Sequence, residues 1–240
     1  MTDETPHKIQ RVLCIFAHPD DAEFFCGATL ARWAAEGAEL HLLLATSGDK
    51  GSADPDMTSE RLIEIREEEA RKAAEVMGAK SVLFLRHPDG ELAPSIELRR
   101  QLVRQIRLQK PDTVVTSDPT AFWYGTGYIN HPDHRAIGDA TLAAVFPTAR
   151  DRLNFIEHER DEGLEPHKVA RLYIAIPADK TVTVDVTDYM DHKLEALKEH
   201  KSQFEATEEN LERIKQRNLD PTAPEDKPRY VEYFRVMSLA

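Results

Sequence analysis

Apolar positions fall into two rhythms along this chain. Short unbroken or alternating apolar runs predict strands over 11–18 (RVLCIFAH), 39–47 (ELHLLLATS), 81–86 (SVLFLR) and 112–118 (DTVVTSD). Between them, apolar residues recur at helical spacing over 28–36, 58–77, 95–109 and 132 to about 148. Gly37 and Gly78 close the first two helices, and Pro111 follows the third. Short apolar strands alternating with amphipathic helices predict an α/β fold, a mostly parallel sheet with helices on both faces. The remainder is less regular. Strands are expected over 169–176, 181–187 and 231–239, a helix over 189–204, and a loop over 218–229, which holds three prolines. This part reads as a C-terminal strand and helix extension of the same sheet, so a single domain is expected over 1–240.

Charge narrows the partners. The 31 basic and 43 acidic residues give a net charge of −12, which repels nucleic acid and anionic membranes. No apolar run reaches transmembrane length, and the opening MTDETPHKIQ has no apolar signal core. A cytoplasmic protein is expected. Cys14 and Cys26 form no Cys-x-x-Cys pair, so a thiolate zinc site is disfavoured and a reducing compartment is the simpler setting.

The first strand runs straight into His18-Pro19-Asp20-Asp21. In an open parallel sheet, ligands bind beyond the carboxyl ends of the strands, which is where these side chains fall. Taken alone, the tetrapeptide is equally a helix start with an aspartate capping free amides. A second stretch, Asn130-His131-Pro132-Asp133-His134-Arg135, follows the fourth strand at the same sheet end. His131 and His134 stand three apart at a helix start, so they project from nearly one face. Imidazoles and carboxylates meeting from two loops supply N and O ligands, and three of these plus water is the usual catalytic zinc arrangement.

The chain resembles the PIG-L / LmbE-like zinc-dependent deacetylase family. The matching pieces are AHPDDAE at 17–23, CGATLA at 26–31, TSGDKG at 46–51, IREEEARKAA at 65–74, PDGEL at 88–92, HPDHR at 131–135 and HKSQF at 200–204. The two histidine motifs are the specific ones. The resemblance implies a Rossmann-like fold and hydrolysis of an N-acetyl group from a glucosamine derivative. It implies His18, Asp21 and His134 as ligands of one Zn2+ per chain, with iron or cobalt as alternatives. It implies Asp20 as general base, and His131 as the residue that stabilises or protonates the reacting centre. The two adjacent aspartates then have different work, one holding metal and one moving protons.

Other residues are weighed around that centre. Arg66 and Glu69 fall inside the apolar stripe of their helix, where charge is costly unless paired or facing a cavity. Arg66 is a substrate-binding candidate positioned by Glu69, or half of a structural Arg–Glu pair. Asp49 and Lys50 follow the second strand and are weaker candidates. His87-Pro88-Asp89-Gly90 reads mainly as a turn. Residues 121–128 pack four aromatics into eight positions, as a pocket wall including Tyr128, a lid, or a contact surface of a homo-oligomer. Glu23 is either an acceptor behind a metal ligand or a solvated helix-start carboxylate. His200 reads as structural, and His7, His41, His158, His167 and His192 as ordinary surface or packed residues. The rival class is a non-catalytic sugar- or nucleotide-binding module with a structural metal. A dinucleotide role is disfavoured, since no Gly-x-Gly-x-x-Gly follows the first strand.

Overall fold

The structure is a computed structural model, and it describes residues 8–239. His7 lies outside the described residues. A seven-stranded sheet carries the chain, in the order β3-β2-β1-β4-β7-β9-β8. Its strands are β1 Arg11–Phe16, β2 Glu39–Thr46, β3 Ser81–His87, β4 Thr113–Ser117, β7 Arg171–Ala175, β8 Val182–Asp185 and β9 Val231–Ser238. A separate two-stranded hairpin joins β5 Trp123–Tyr124 to β6 Tyr128–Ile129. β1 pairs in parallel with both β2 and β4, and β3 and β7 extend the parallel set. β9 runs antiparallel to β7 and to β8, so the C-terminal segment enlarges the same sheet.

β1 shows why its sequence is continuously apolar. Val12, Cys14 and Phe16 join the cluster on one face of the sheet, and Leu13 and Ile15 join the cluster on the other. A strand covered on both faces has no solvent side to carry polar residues. Helices α1 Asp21–Ala35 and α2 Ser59–Val76 supply the first cluster with Leu30, Trp33, Ala70 and Ala73. Helices α3 Ile96–Gln109 and α4 Pro132–Ala143 supply the second with Leu102, Ile106, Ile137 and Ala140.

Two departures from the periodicity have physical causes. The helix expected from 28 begins at Asp21, but it is broken at Cys26, whose φ of −153° and ψ of 22° are not helical. The break frees the amides of Ala28 and Thr29, which Glu232 of β9 accepts at 3.3 and 2.8 Å. The helical rhythm from 28 is therefore that of the second segment. The helix expected to about 148 ends as α4 at Ala143, and a π-type turn follows over Ala144–Thr148 with Pro147 inside it.

α5 Ile156–Glu162 and α7 Glu208–Asn218 were not expected, while α6 Met190–Glu199 falls within the helix expected over 189–204. Arg107 of α3 is fully buried and donates to five carbonyls, those of Thr148, Ala149, Asp151, Asn154 and Phe155. One side chain thus shapes the whole turn that leads into α5. Arg107→Met is expected to leave several of these acceptors unpaired and to cost roughly 3 kcal/mol or more in urea unfolding. A loss below about 1 kcal/mol would show that the turn holds its shape without the guanidinium.

Candidate active site

The sheet order reverses at β1, which lies between β2 and β4. The crevice beyond the carboxyl ends of β1 and β4 is the place where doubly wound sheets bind ligands. The β1–α1 connection delivers His18, Asp20 and Asp21 there. The long connection from β4, which contains the hairpin, delivers His131 as the N-cap of α4 and His134 in its first turn. α4 comes close enough because position 138 is glycine. A Cβ there would lie 2.5 Å from the Ser117 carbonyl oxygen at the end of β4.

His18, Asp21 and His134 converge from these two segments and are all buried. His18 Nδ1 lies 3.2 Å from His134 Nε2 and 3.7 Å from Asp21 Oδ2, and His134 Nε2 lies 3.0 Å from Asp21 Oδ1. Two ligands of one tetrahedral zinc, each at 2.0–2.2 Å, stand about 3.4 Å apart. The three groups therefore fit a single ion. Their other atoms are committed elsewhere, which fixes the rings. Asp21 Oδ2 accepts the amides of Ala17 and His18 at 3.1 and 2.9 Å. His134 Nδ1 lies 2.8 Å from Asn130 Oδ1, so its proton belongs there and Nε2 is free to ligate. His18 Nε2 lies 3.0 Å from Asp89 and 3.3 Å from Asp133, which assigns its proton in the same way.

The charges call for a cation. Burial opposes a proton on His18, yet hydrogen bonds to Asp133, Asp21 and Asp89 push its pKa up to about 12. Burial likewise opposes ionisation of Asp21, but His134 and His18 hold its carboxyl well below the usual range. His18, Asp21 and His134 would hold a divalent ion with the His18 imidazole neutral, the cation taking the place of its proton. His18, Asp89, His131 and Asp133 form a second group within metal-ligand reach, but it shares His18. It is also less open, because Asp133 already accepts the amides of Gly90 and Leu92 at 2.7 and 3.2 Å.

Asp20 stands apart from both groups. It occupies the N-cap position of α1 but makes no capping hydrogen bond, so the capping explanation of the tetrapeptide fails. Its φ of 103° is in the left-handed region. A non-glycine residue held there is strained and calls for a reason. Burial pushes its pKa up to about 6, against the pull of Arg66. His131 accepts the Asp133 amide at Nδ1, 3.2 Å away, which leaves its proton on Nε2. Burial and the charge on His18 lower its pKa. His131 in this state is a neutral imidazole that offers a donor at Nε2.

Arg66 donates to the carbonyls of Pro19 at 2.7 Å and Gly48 at 3.1 Å, and lies 3.4 Å from Asp20 Oδ2. It ties the β1 and β2 loops together under Asp20. Gly48 gives it room, since a Cβ there would lie 2.1 Å from the guanidinium. The expected pairing with Glu69 is not formed. Glu69 accepts the Ser202 amide and hydroxyl at 2.8 and 2.6 Å, joining α2 to the HKSQF segment. Asp49 accepts the Asp89 amide at 2.9 Å and does not line the cleft, so it supports the Asp89 turn instead of facing substrate. Lys50 pairs with Glu91 at the surface. Glu23 is buried beside His200, 3.5 Å away, and is not a solvated carboxylate.

A cleft of about 880 Å3 opens over this centre and includes Asp20, Arg66, His131, Tyr124 and Tyr128 in its walls. The hairpin thus gives two tyrosines, stacked 6.2 Å apart, to the cleft, and leaves Trp123 and Ile129 exposed. Sequence reasoning missed the roles of Asp89, Asn130 and Asp133. All three stand in or directly beside His-Pro-Asp stretches, which was the signal that each carried.

Comparison with known proteins decides the family. The model described as GlcNAc-PI de-N-acetylase, PIG-L, matches residues 13–145, more than half of the chain. The chain belongs to the PIG-L family. Among curated PIG-L relatives, diacetylchitobiose deacetylase of Thermococcus kodakarensis is 33% identical over 84% of this chain and 73% of its own length. A probable N-acetyl-alpha-D-glucosaminyl L-malate deacetylase of Bacillus anthracis is 28% identical over 85% of this chain and 86% of its own. The solved diacetylchitobiose deacetylase of Pyrococcus horikoshii superposes with a TM-score of 0.84 at 29% identity, covering 96% of this chain and 84% of that one. The 4-carboxy-2-hydroxymuconate hydratase GalB of Pseudomonas putida shares the fold at a TM-score of 0.76 and 19% identity, covering 95% of this chain and 96% of its own. A PIG-L fold therefore carries more than one chemistry, and function rests on the site. Among the described residues, no helix is long and apolar enough to cross a membrane.

Proposed function

We propose that this chain is a zinc-dependent N-deacetylase, acting as one domain on an N-acetylglucosamine conjugate or a related small N-acyl metabolite. The observation that carries the reading is Asp20, a strained, mostly buried carboxylate beside the His18, Asp21 and His134 group on the wall of a large cleft. A metal held only for structure gives no reason for that strain. The names of the relatives, deacetylases of glucosamine derivatives, support the substrate class.

When bound, the divalent ion supplies positive charge that polarises the amide and acidifies a water. Asp20 takes a proton from the attacking water at a carboxylate oxygen. The water oxygen bonds to the amide carbon, and His131 donates a hydrogen bond from Nε2 to the oxygen that gains charge. Asp20 returns its proton to the amine nitrogen as the C–N bond breaks, releasing acetate and the free amino sugar. Arg66 holds Asp20 in place through the loop carbonyls that it binds.

Amine release from a panel of N-acetylglucosamine conjugates, by protein loaded with zinc, stripped by chelator and then reloaded, tests the reading. Release that disappears and returns with the metal is expected. A protein that holds one zinc and releases no amine from any conjugate overturns it in favour of a binding module.

Asp20 also sets a pH dependence. It accepts a proton only when ionised, and its pKa is about 6. The value of kcat/KM is expected to fall about tenfold per pH unit below that value and to be flat just above it. A rate that stays flat from about pH 7 down to about pH 4 would remove Asp20 from the role of base.

A further inference from the structure

The two walls of the cleft differ in charge. The metal end carries the carboxylates of Asp20, Asp21 and Asp89. Arg66, the cation at that end, is occupied by Pro19, Gly48 and Asp20. The wall from the C-terminal part of the chain is different. Lys180, between β7 and β8, and Arg217, in the last turn of α7, both line the cleft and are both exposed. Neither makes an ion pair among the described residues. The Lys180 ammonium sits 3.7 Å from the centre of the Tyr233 ring, which also lines the cleft, so the charge is held in position by the aromatic face. The carboxylate on this wall, Glu232, is neutralised. It is buried against Lys193 at 2.7 Å and also accepts the Ala28 and Thr29 amides.

A cation in a last helical turn also complements the helix dipole, which accounts for Arg217 by itself. It does not account for a second cation lining the same cleft, held on an aromatic ring, in a chain of net charge −12. The cleft, at about 880 Å3, exceeds what the acetamido sugar needs and leaves room for a substituent reaching this wall.

We propose that the Lys180–Arg217 wall is an anion subsite, and that the substrate is an N-acetylated amino sugar whose aglycone carries a carboxylate or a phosphate. The inference rests on the deacetylase reading for the orientation of the sugar, with its amide at the acidic metal end. The geometry favours an anion at one end of the substrate and a developing ammonium at the other, matching the two signs of the cleft.

The test separates binding from turnover. Zinc-loaded Asp20→Asn protein is titrated calorimetrically with three N-acetylglucosamine derivatives: the 1-phosphate, the 1-O-carboxymethyl glycoside and the neutral methyl glycoside. At least one anionic ligand is expected to bind about tenfold more tightly than the neutral one, a difference of about 1.4 kcal/mol. The tighter of the two anions identifies the aglycone class. That preference is expected to shrink below about threefold when Lys180→Ala and Arg217→Ala are added, and to weaken as salt rises toward 1 M. Equal affinities for all three ligands, including no measurable binding of any, overturn the proposal. So does a preference that survives the double substitution. Amine release by the unsubstituted protein is measured in parallel. Its absence with the binding preference intact strikes the deacetylase reading and leaves the anion subsite standing.

Discussion

Replacing Asp20 by Asn is expected to leave the protein folded and loaded with metal and to lower kcat by about 10²–10⁴-fold. Asparagine keeps the shape of aspartate and is the other common residue that tolerates left-handed backbone, so the φ of 103° is retained. It cannot accept a proton. Asp20 lies outside the group of three that fits the ion, so the metal is not affected directly. Burial raises its pKa, meaning that the folded protein disfavours its charge at neutral pH. The neutral variant is accordingly expected to melt no lower than the parent. Metal content by mass spectrometry, Tm and turnover together check this. Full activity in the variant, or loss of its metal, removes Asp20 from the role of base.

Asp21→Asn is expected to fail in the opposite order. Asp21 Oδ1 is the anionic member of the three, while Oδ2 is held by the amides of Ala17 and His18. A neutral amide in that place cannot offset the charge of a divalent ion. Metal affinity should fall by at least about 10²-fold, and turnover should fall with it. Excess zinc should restore part of the activity of Asp21→Asn and none of that of Asp20→Asn. Zinc titration of both variants under identical conditions reads this asymmetry. Equal rescue of the two, or no change in affinity for Asp21→Asn, contradicts the division of labour between the neighbouring aspartates.

The parts of this molecule that were legible in its sequence are those written in local patterns. β1, β2 and β4 are buried on both faces along most of their length, so carboxylates and cations are confined to their ends and their apolar residues stand out. The two histidine motifs were legible because the ends of β1 and β4 lie side by side at a reversal of strand order, which alternating strands and helices imply. α7 was not legible, since EENLERIKQRN has little apolar periodicity and buries Ile214 alone. The start of α1 was hidden by its break at Cys26 and by a cap, Glu232, that comes from more than two hundred residues away. The surroundings of the centre were hidden for the same reason. His87-Pro88-Asp89-Gly90 does form a turn, as its sequence says, but only the folded chain brings Asp89 within 3.0 Å of His18. Arg66 and Glu69 lie three apart on one helix and invite pairing, yet each finds a better-placed partner on another element.

The central claim is that the Nδ1 side of His18, and not its Nε2 side, faces the catalytic ion. Both sides have acidic and imidazole neighbours, and they form two alternative groups that share this one ring. A crystal structure of the zinc-loaded protein, with anomalous data collected across the zinc absorption edge, separates them. One peak is expected, about 2.0–2.2 Å from His18 Nδ1, His134 Nε2 and an Asp21 oxygen, with Asp20 outside bonding distance. A peak among His18 Nε2, Asp89, His131 and Asp133 would contradict the account, because His131 would then be a ligand and not a donor to the substrate.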